Sequence, residues 1–175
     1  QQAIALEKWK QQNHQHAMNW FKVLAEFEAV NSIATISFNN PEWRYPILKK
    51  DHFFIEGKEI GHPLIRPDKC VNNPVSIAHK GELMLVTGSN MAGKSTYLRS
   101  IGVNTVLAMA GAPVCAAYFC LSPVQVISSM RIADNLEEST STFYAELKKL
   151  KTIIDKVNKD EKVFILLDEI LRGNN

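Results

Sequence analysis

A long unbroken apolar run is missing from this chain. The longest candidate, Val106 to Leu121, is interrupted by Gly111 and Pro113. A bilayer span needs about 20 apolar residues in succession, so this stretch reads as a helix end, a turn and a strand. No basic and apolar leader opens the chain, so neither a secretory signal nor a membrane anchor is expected. Cysteine is scarce as well. Cys70, Cys115 and Cys120 are odd in number and lack C-x-x-C spacing, which argues against a disulfide framework or a thiolate metal site and for buried free thiols in a reducing cytoplasm. His14 and His16 stand two apart and so face different sides of a helix, which is the wrong geometry for a metal pair. Charge of one sign is lacking too: 20 Lys and Arg against 18 Asp and Glu leave a net charge of +2. Composition alone therefore gives no clustered basic face for a nucleic-acid backbone. What the chain has in plenty is apolar content, 46% of 175 residues, enough for one sizeable core with helices packed on a sheet.

The most informative segment is Gly88-Ser89-Asn90-Met91-Ala92-Gly93-Lys94-Ser95-Thr96, which fits G-x-x-x-x-G-K-[ST], the loop that wraps nucleotide phosphates. Glycines at both ends let the backbone turn tightly and bring its N–H groups onto phosphate oxygens, and the next helix begins at that spot. Lys94 is expected to reach the β and γ phosphates of ATP or GTP, and Ser95 to hold Mg²⁺. The flanks predict a buried strand over Glu82 to Thr87 and a helix over Ser95 to Leu107, the strand–loop–helix order the motif requires.

A second element suits the first. Val163-Phe164-Ile165-Leu166-Leu167-Asp168-Glu169 is an apolar run closed by two carboxylates, the pattern of a strand covered on both faces whose carboxyl end meets a ligand. Asp168 is expected beside the Mg²⁺, and Glu169 to polarise the attacking water, which makes hydrolysis rather than binding alone the expected chemistry. Between the two lies Glu137 to Leu147, where four hydroxyl residues precede Phe143, Leu147, Leu150, Ile154 and Val157 at helical spacing. This predicts a capped amphipathic helix starting near Phe143, with Thr142 or a neighbour as cap and Lys148, Lys149 and Lys151 mostly off the apolar stripe. Its free N–H groups and positive dipole end suit a phosphate, although an ordinary N-cap on a packing helix explains the same residues.

The run from Thr87 to Arg99 closely resembles the phosphate loop of MutS-type DNA mismatch repair ATPases. Ser141-Thr142-Phe143 with Glu146 resembles that family's signature helix, and Asp168 to Gly173 its Asp-Glu-Ile-Gly-Arg-Gly. Gly61-His62-Pro63-Leu64 and Ala110 to Ala116 match further stretches in the same order. The resemblance implies a P-loop NTPase of ABC/MutS type, an α/β fold with a mainly parallel sheet and flanking helices, preceded by a long amphipathic helix. It implies ATP and Mg²⁺ as cofactors and dimer closure coupled to DNA. It further implies a homodimer and a MutL-like partner, with DNA contacted through regions outside this chain. Asn90 would contact the γ-phosphate, and Ser141 would touch, in trans, the γ-phosphate held by the other subunit. Cys70-Val71 falls where the family usually packs an aromatic-aliphatic pair on adenine, so base stacking is expected to be weaker or to come from elsewhere, with Val71 the position carried over to the base. Ser89 and Ala92 replace the usual Pro and Gly, and Ala92 would be strained if its position requires positive φ. Leu171 and Asn174 also depart from the pattern, which points to a divergent branch.

Two domains are expected: residues 1–40 as a helical lead-in, and 41–175 as the ATPase domain, cut shortly after its acidic strand. Ala17, Trp20, Phe21, Leu24, Phe27, Val30, Ile33 and Ala34 recur at helical steps, predicting a helix from Ala5 to about Ile36 whose second half is buried. Asn39-Asn40-Pro41 should end it, with turns and short strands following to Pro74. The absence of a Leu-Ser-Gly-Gly-Gln stretch disfavours a transporter subunit, and that of Asn-Lys-x-Asp a GTPase. A nucleotide-gated interaction module with little hydrolysis and no mismatch recognition is the alternative to an ATP hydrolase.

Overall fold

The structure is a computed structural model that describes residues 2–50, 52–89, 92–130 and 139–168. Asn90, Met91 and Glu169 lie outside the described residues, as do Ile170 to Asn175. The chain forms two units, Gln1–Pro41 and Glu42–Asn175.

The first unit is one helix, α1 (Gln2–Asn39). It ends where expected. Proline disfavours helical backbone in the residue before it, and the Asn40 backbone N–H and side-chain Nδ2 both donate to the Ile36 carbonyl, at 3.1 and 2.9 Å. The expected burial of its second half is not found: no residue of α1 is buried, and Phe21, Phe27 and Val30 are all about two-thirds exposed. Trp20, Phe21, Val23 and Leu24 are consecutive enough to point round more than one side, so they make no single stripe for a core to cover.

In the second unit, β1 (Ile47–Leu48), β2 (Ile55–Ile60), β3 (Asn73–Ile77) and β4 (Tyr118–Leu121) form one sheet in the order β1-β4-β2-β3. Only β1 and β4 run parallel; β2 is antiparallel to both β3 and β4. A separate parallel pair joins β5 (Gln125–Ser129) to β6 (Val163–Leu167), register Gln125 to Val163 through Ser129 to Leu167. Helix α3 (Ser139–Asn158) makes the crossover between them, as a parallel connection needs. The fold is thus α/β, but its larger sheet is mixed and only the β5–β6 pair is wholly parallel, so the expectation of a mainly parallel sheet is corrected. Glu82 to Thr87 is not a strand. Glu82 instead closes a turn, its Oε2 accepting the Ala78 and His79 N–H groups at 2.7 and 3.2 Å, and Leu83 and Leu85 are exposed.

Helix α2 (Lys94–Met109) follows the glycine loop, close to its expected limits. It ends in a Schellman turn: Gly111 takes φ 77°, its N–H donates to Ala108, and the Ala112 N–H donates to Leu107 at 3.0 Å. Only a residue without Cβ adopts that φ freely. The turn delivers Val114 and then β4 to the core, where Ile55, Ile101, Val114, Phe119 and Leu121 are fully or almost fully buried. Each such side chain contributes roughly 1.5–3 kcal/mol.

Strand β6 forms as read, although only Phe164 and Leu166 are buried, with Val163, Ile165 and Leu167 half-buried. Leu166 lies under α2 so closely that a Cβ on Gly102 would stand 2.6 Å from its Cδ1. The inward face of α3 differs from the expected stripe. Ile153 is buried and Leu150 half-buried, whereas Leu147, Ile154 and Val157 are exposed. Helical spacing allows either choice, and packing on β5 and β6 selects the face centred on Ile153. Among the described residues, no helix is long and apolar enough to cross a membrane.

Candidate phosphate site and its surroundings

The glycine loop turns into α2 at Gly93, which sits as N-cap with φ 83° and ψ 12° and gives no side-chain cap. That left-handed backbone explains why glycine stands there. The first N–H groups of α2 are consequently left to a ligand or to water, and the helix dipole adds positive potential at the same point. The Tyr97 N–H closes the first helical turn on the Gly93 carbonyl at 2.9 Å.

Lys94 bends back over this loop. Its Nζ donates to the Gly88 carbonyl at 2.9 Å and to the Ser89 carbonyl at 2.7 Å, while the Ala92 N–H donates to the same Ser89 carbonyl at 3.2 Å. A positive charge, glycine-turned backbone and an uncapped helix start therefore converge on one spot, which is the chemistry that holds an anion. Ser95 is half-buried in the first turn of α2, and Thr96 is exposed beside it.

Asp168 follows β6 directly, half-buried, with its N–H on the Ser129 carbonyl at 3.0 Å. Because Leu166 packs under Gly102, the acid-ended strand and the helix behind the glycine loop belong to one packed layer. The described contacts join Lys94 to Gly88 and Ser89 and join Asp168 to the end of β5. Val71 stands apart, exposed between the 3-10 turn Pro67–Lys69 and β3. Ser141 lies within the first turn of α3, which begins at Ser139, so Thr142 is inside the helix and not its cap. That corrects the expected start near Phe143. Asn90, Met91 and Glu169 fall outside the described residues.

Three supporting residues have roles that the sequence did not assign, and of these Asn104 lies outside every matched stretch. Asn104, fully buried on α2, donates from Nδ2 to the Gly61 and Ser100 carbonyls at 2.9 and 2.8 Å. Its Oδ1 accepts the Cys115 N–H at 2.7 Å. The polar pair Asn104-Thr105 between Val103 and Val106, inside a helix with apolar neighbours, was the available signal. Tyr97 donates its hydroxyl to the Pro74 carbonyl at 2.7 Å, and burial raises its pKa. His62 accepts the Leu64 N–H on Nδ1 at 3.2 Å. Burial, and then the nearby positive charge of Arg99, hold its pKa below the ordinary 6.5.

A mixed α/β domain with a lysine-bearing glycine loop at a helix N-terminus, and an acid-ended strand under that helix, defines a candidate anion-binding domain. Comparison with known proteins gives it a family. Residues 84–175 match MutS domain V, and the chain belongs to the MutS family. It is 32% identical over 156 residues to the DNA mismatch repair protein MSH3 of Vanderwaltozyma polyspora, covering 87% of this chain and 15% of that protein. It is 38% identical over 149 residues to the mitochondrial DNA mismatch repair protein mutS homolog of Sarcophyton glaucum, covering 81% and 15%. To the DNA mismatch repair protein MutS of Bacillus mycoides it is 34% identical over 164 residues, covering 88% and 17%. The chain thus spans less than a fifth of the length of these relatives.

Proposed function

We propose that this chain binds ATP with Mg²⁺ and hydrolyses it, as the ATPase domain of a MutS-type protein in which nucleotide-driven dimer closure is coupled to DNA. The observation that carries the reading is Lys94, folded onto the Gly88 and Ser89 carbonyls at the uncapped start of α2. In that position its ammonium can exchange two carbonyl acceptors for phosphate oxygens, a stronger charge-assisted bond.

The residues present fit the cofactor. The α2 N–H groups and Lys94 would hold the phosphates, and Ser95 and Asp168 would hold Mg²⁺, whose charge neutralises the developing phosphate charge. Glu169, next in sequence to Asp168, would orient and polarise water without being needed to hold phosphate. Val71 is assigned to the adenine by family likeness, and its exposure leaves it free to meet a base. The three relatives are named for DNA mismatch repair, which supports a role in that process or a related DNA transaction. DNA, a second copy of the chain and a MutL-like protein are the proposed partners, with Ser141 completing the partner copy's site.

Titration of a fluorescent ATP analogue into the full protein tests the reading. Lys94→Ala should weaken binding by about 100-fold or more, because it leaves phosphate charge unneutralised; equal affinities overturn it. Glu169→Gln distinguishes hydrolysis from nucleotide-gated interaction alone. It should keep ATP bound while slowing turnover by roughly 100-fold or more, and unchanged turnover would remove Glu169 from the chemistry.

A further inference from the structure

Two of the three cysteines meet at Gly61. The point that a Cβ on this glycine would occupy lies 2.9 Å from Cys70 Sγ and 2.9 Å from Cys115 Sγ. The two sulfurs are therefore separated by at most twice that distance, with the Asn72 side-chain oxygen Oδ1 beside them, 2.7 Å from the same point. Both thiols are half-buried and free, whereas Cys120 is buried in β4.

The backbone under the pair is fastened. Cys115 donates its N–H to Asn104 and accepts the Gly61 N–H on its carbonyl, at 2.7 and 2.8 Å. Cys70 closes the 3-10 turn by donating its N–H to Pro67, and its sulfur accepts the His62 N–H at 3.3 Å. The thiols also differ in their surroundings: burial and then Cys70 push the Cys115 pKa up, while the Cys70 sulfur accepts the His62 N–H. A metal is not the answer, since no three His, Cys, Asp or Glu side chains are grouped to hold one among the described residues.

We propose that Cys70 and Cys115 are a thiol–disulfide exchange site that takes a low-molecular-weight disulfide and closes into an intramolecular bridge. The Cys70 sulfur attacks the small disulfide, forming a mixed disulfide and releasing one small thiol. The Cys115 sulfur then attacks the Cys70 sulfur, forming the bridge and releasing the second small thiol. The two cysteine protons leave on the two released thiols, and the reagent accepts the two electrons. The bridge ties the turn that carries Val71 to the segment that Asn104 holds against α2, and it forms whether or not the chain binds nucleotide.

Equilibrating the full protein with graded ratios of reduced to oxidised glutathione, quenching with acid and mapping peptides by mass tests this. The expected product is a Cys70 peptide linked to a Cys115 peptide, lighter by two hydrogens and restored by reductant. Cys120→Ala should leave the link unchanged. Gly61→Ala puts a methyl against both sulfurs and the Asn72 side-chain oxygen and should move the glutathione ratio at half-oxidation by about tenfold or more toward the oxidant. Thiols that stay reduced at every ratio in the unaltered protein, or that carry separate glutathione adducts with no link, overturn the proposal.

Discussion

Helices α1 and α2 show what holds each part of this chain in shape. The longer, α1, has 38 residues and none buried. The shorter, α2, has 16 and buries Ser100, Ile101, Gly102, Asn104, Thr105 and Ala108. Apolar content does not separate them, because α1 carries Trp20, Phe21, Val23, Leu24, Phe27 and Val30 along its length. The difference lies in how the apolar groups are arranged and what faces them. In α2 the buried positions recur at three and four residues and include two glycine- and alanine-sized gaps, so β6 can approach until Leu166 fills the space at Gly102. In α1 the large side chains turn to several sides, and within its own unit the helix rests on local hydrogen bonds and neighbouring turns.

Asn104→Ala is the strongest way to press this contrast. It removes three hydrogen bonds at a fully buried site and leaves the Cys115 N–H and the Gly61 carbonyl without their partner. A loss of about 2–4 kcal/mol in urea unfolding is expected. A loss below the range of surface substitutions would show that α2 does not depend on its polar clip.

A smaller effect should come from pH, through His62. Its folded pKa is lowered, so the unfolded chain binds more protons in the window below the ordinary 6.5. Stability should be full above that value, fall as the pH drops through the window, and level off below the folded pKa. Protonation also removes the Nδ1 acceptor from the Leu64 N–H. Thermal melts across this range should show the decline in the unaltered chain and a flatter profile in His62→Gln; parallel profiles would assign the decline to other groups.

The smallest change is expected on α1. Phe27 is 69% exposed, and Phe27→Ala exchanges it for a better helix former, so unfolding of the first unit, followed through its helix content, should move by no more than about 0.5 kcal/mol. A cost as large as that of Asn104→Ala would mean that α1 has a packing partner in the protein and would break the contrast.

Much of the candidate site was legible because it depends on short-range chemistry. Gly93 is needed for a left-handed turn, Lys94 and Ser95 follow it at fixed spacing, and α2 starts there. Strand β6 and its closing Asp168 were readable from five apolar residues in a row. Less readable were features in which a residue has two uses. Glu82 was counted into a strand, yet its carboxylate closes a turn with Ala78 and His79. The hydroxyl run predicts a helix starting near Phe143 with Thr142 or a neighbour as cap, yet α3 begins at Ser139. The cysteines were read as buried, whereas Cys70 and Cys115 are half-exposed and meet over Gly61.

By itself the sequence determined the glycine loop and its lysine, the helix that follows, the Gly111 stop, the acid-ended strand and the family likeness. All of these rest on residue types at fixed separations along the chain, where backbone sterics and local hydrogen bonding decide. Tertiary structure alone decided that the four-stranded sheet is mixed, that α3 turns Ile153 inward rather than Ile154, and that Asn104 joins Gly61 to Cys115. Those outcomes depend on which distant segments pair and pack. A helical or alternating pattern is compatible with several such pairings, and only the burial and hydrogen bonding available in the folded chain select one.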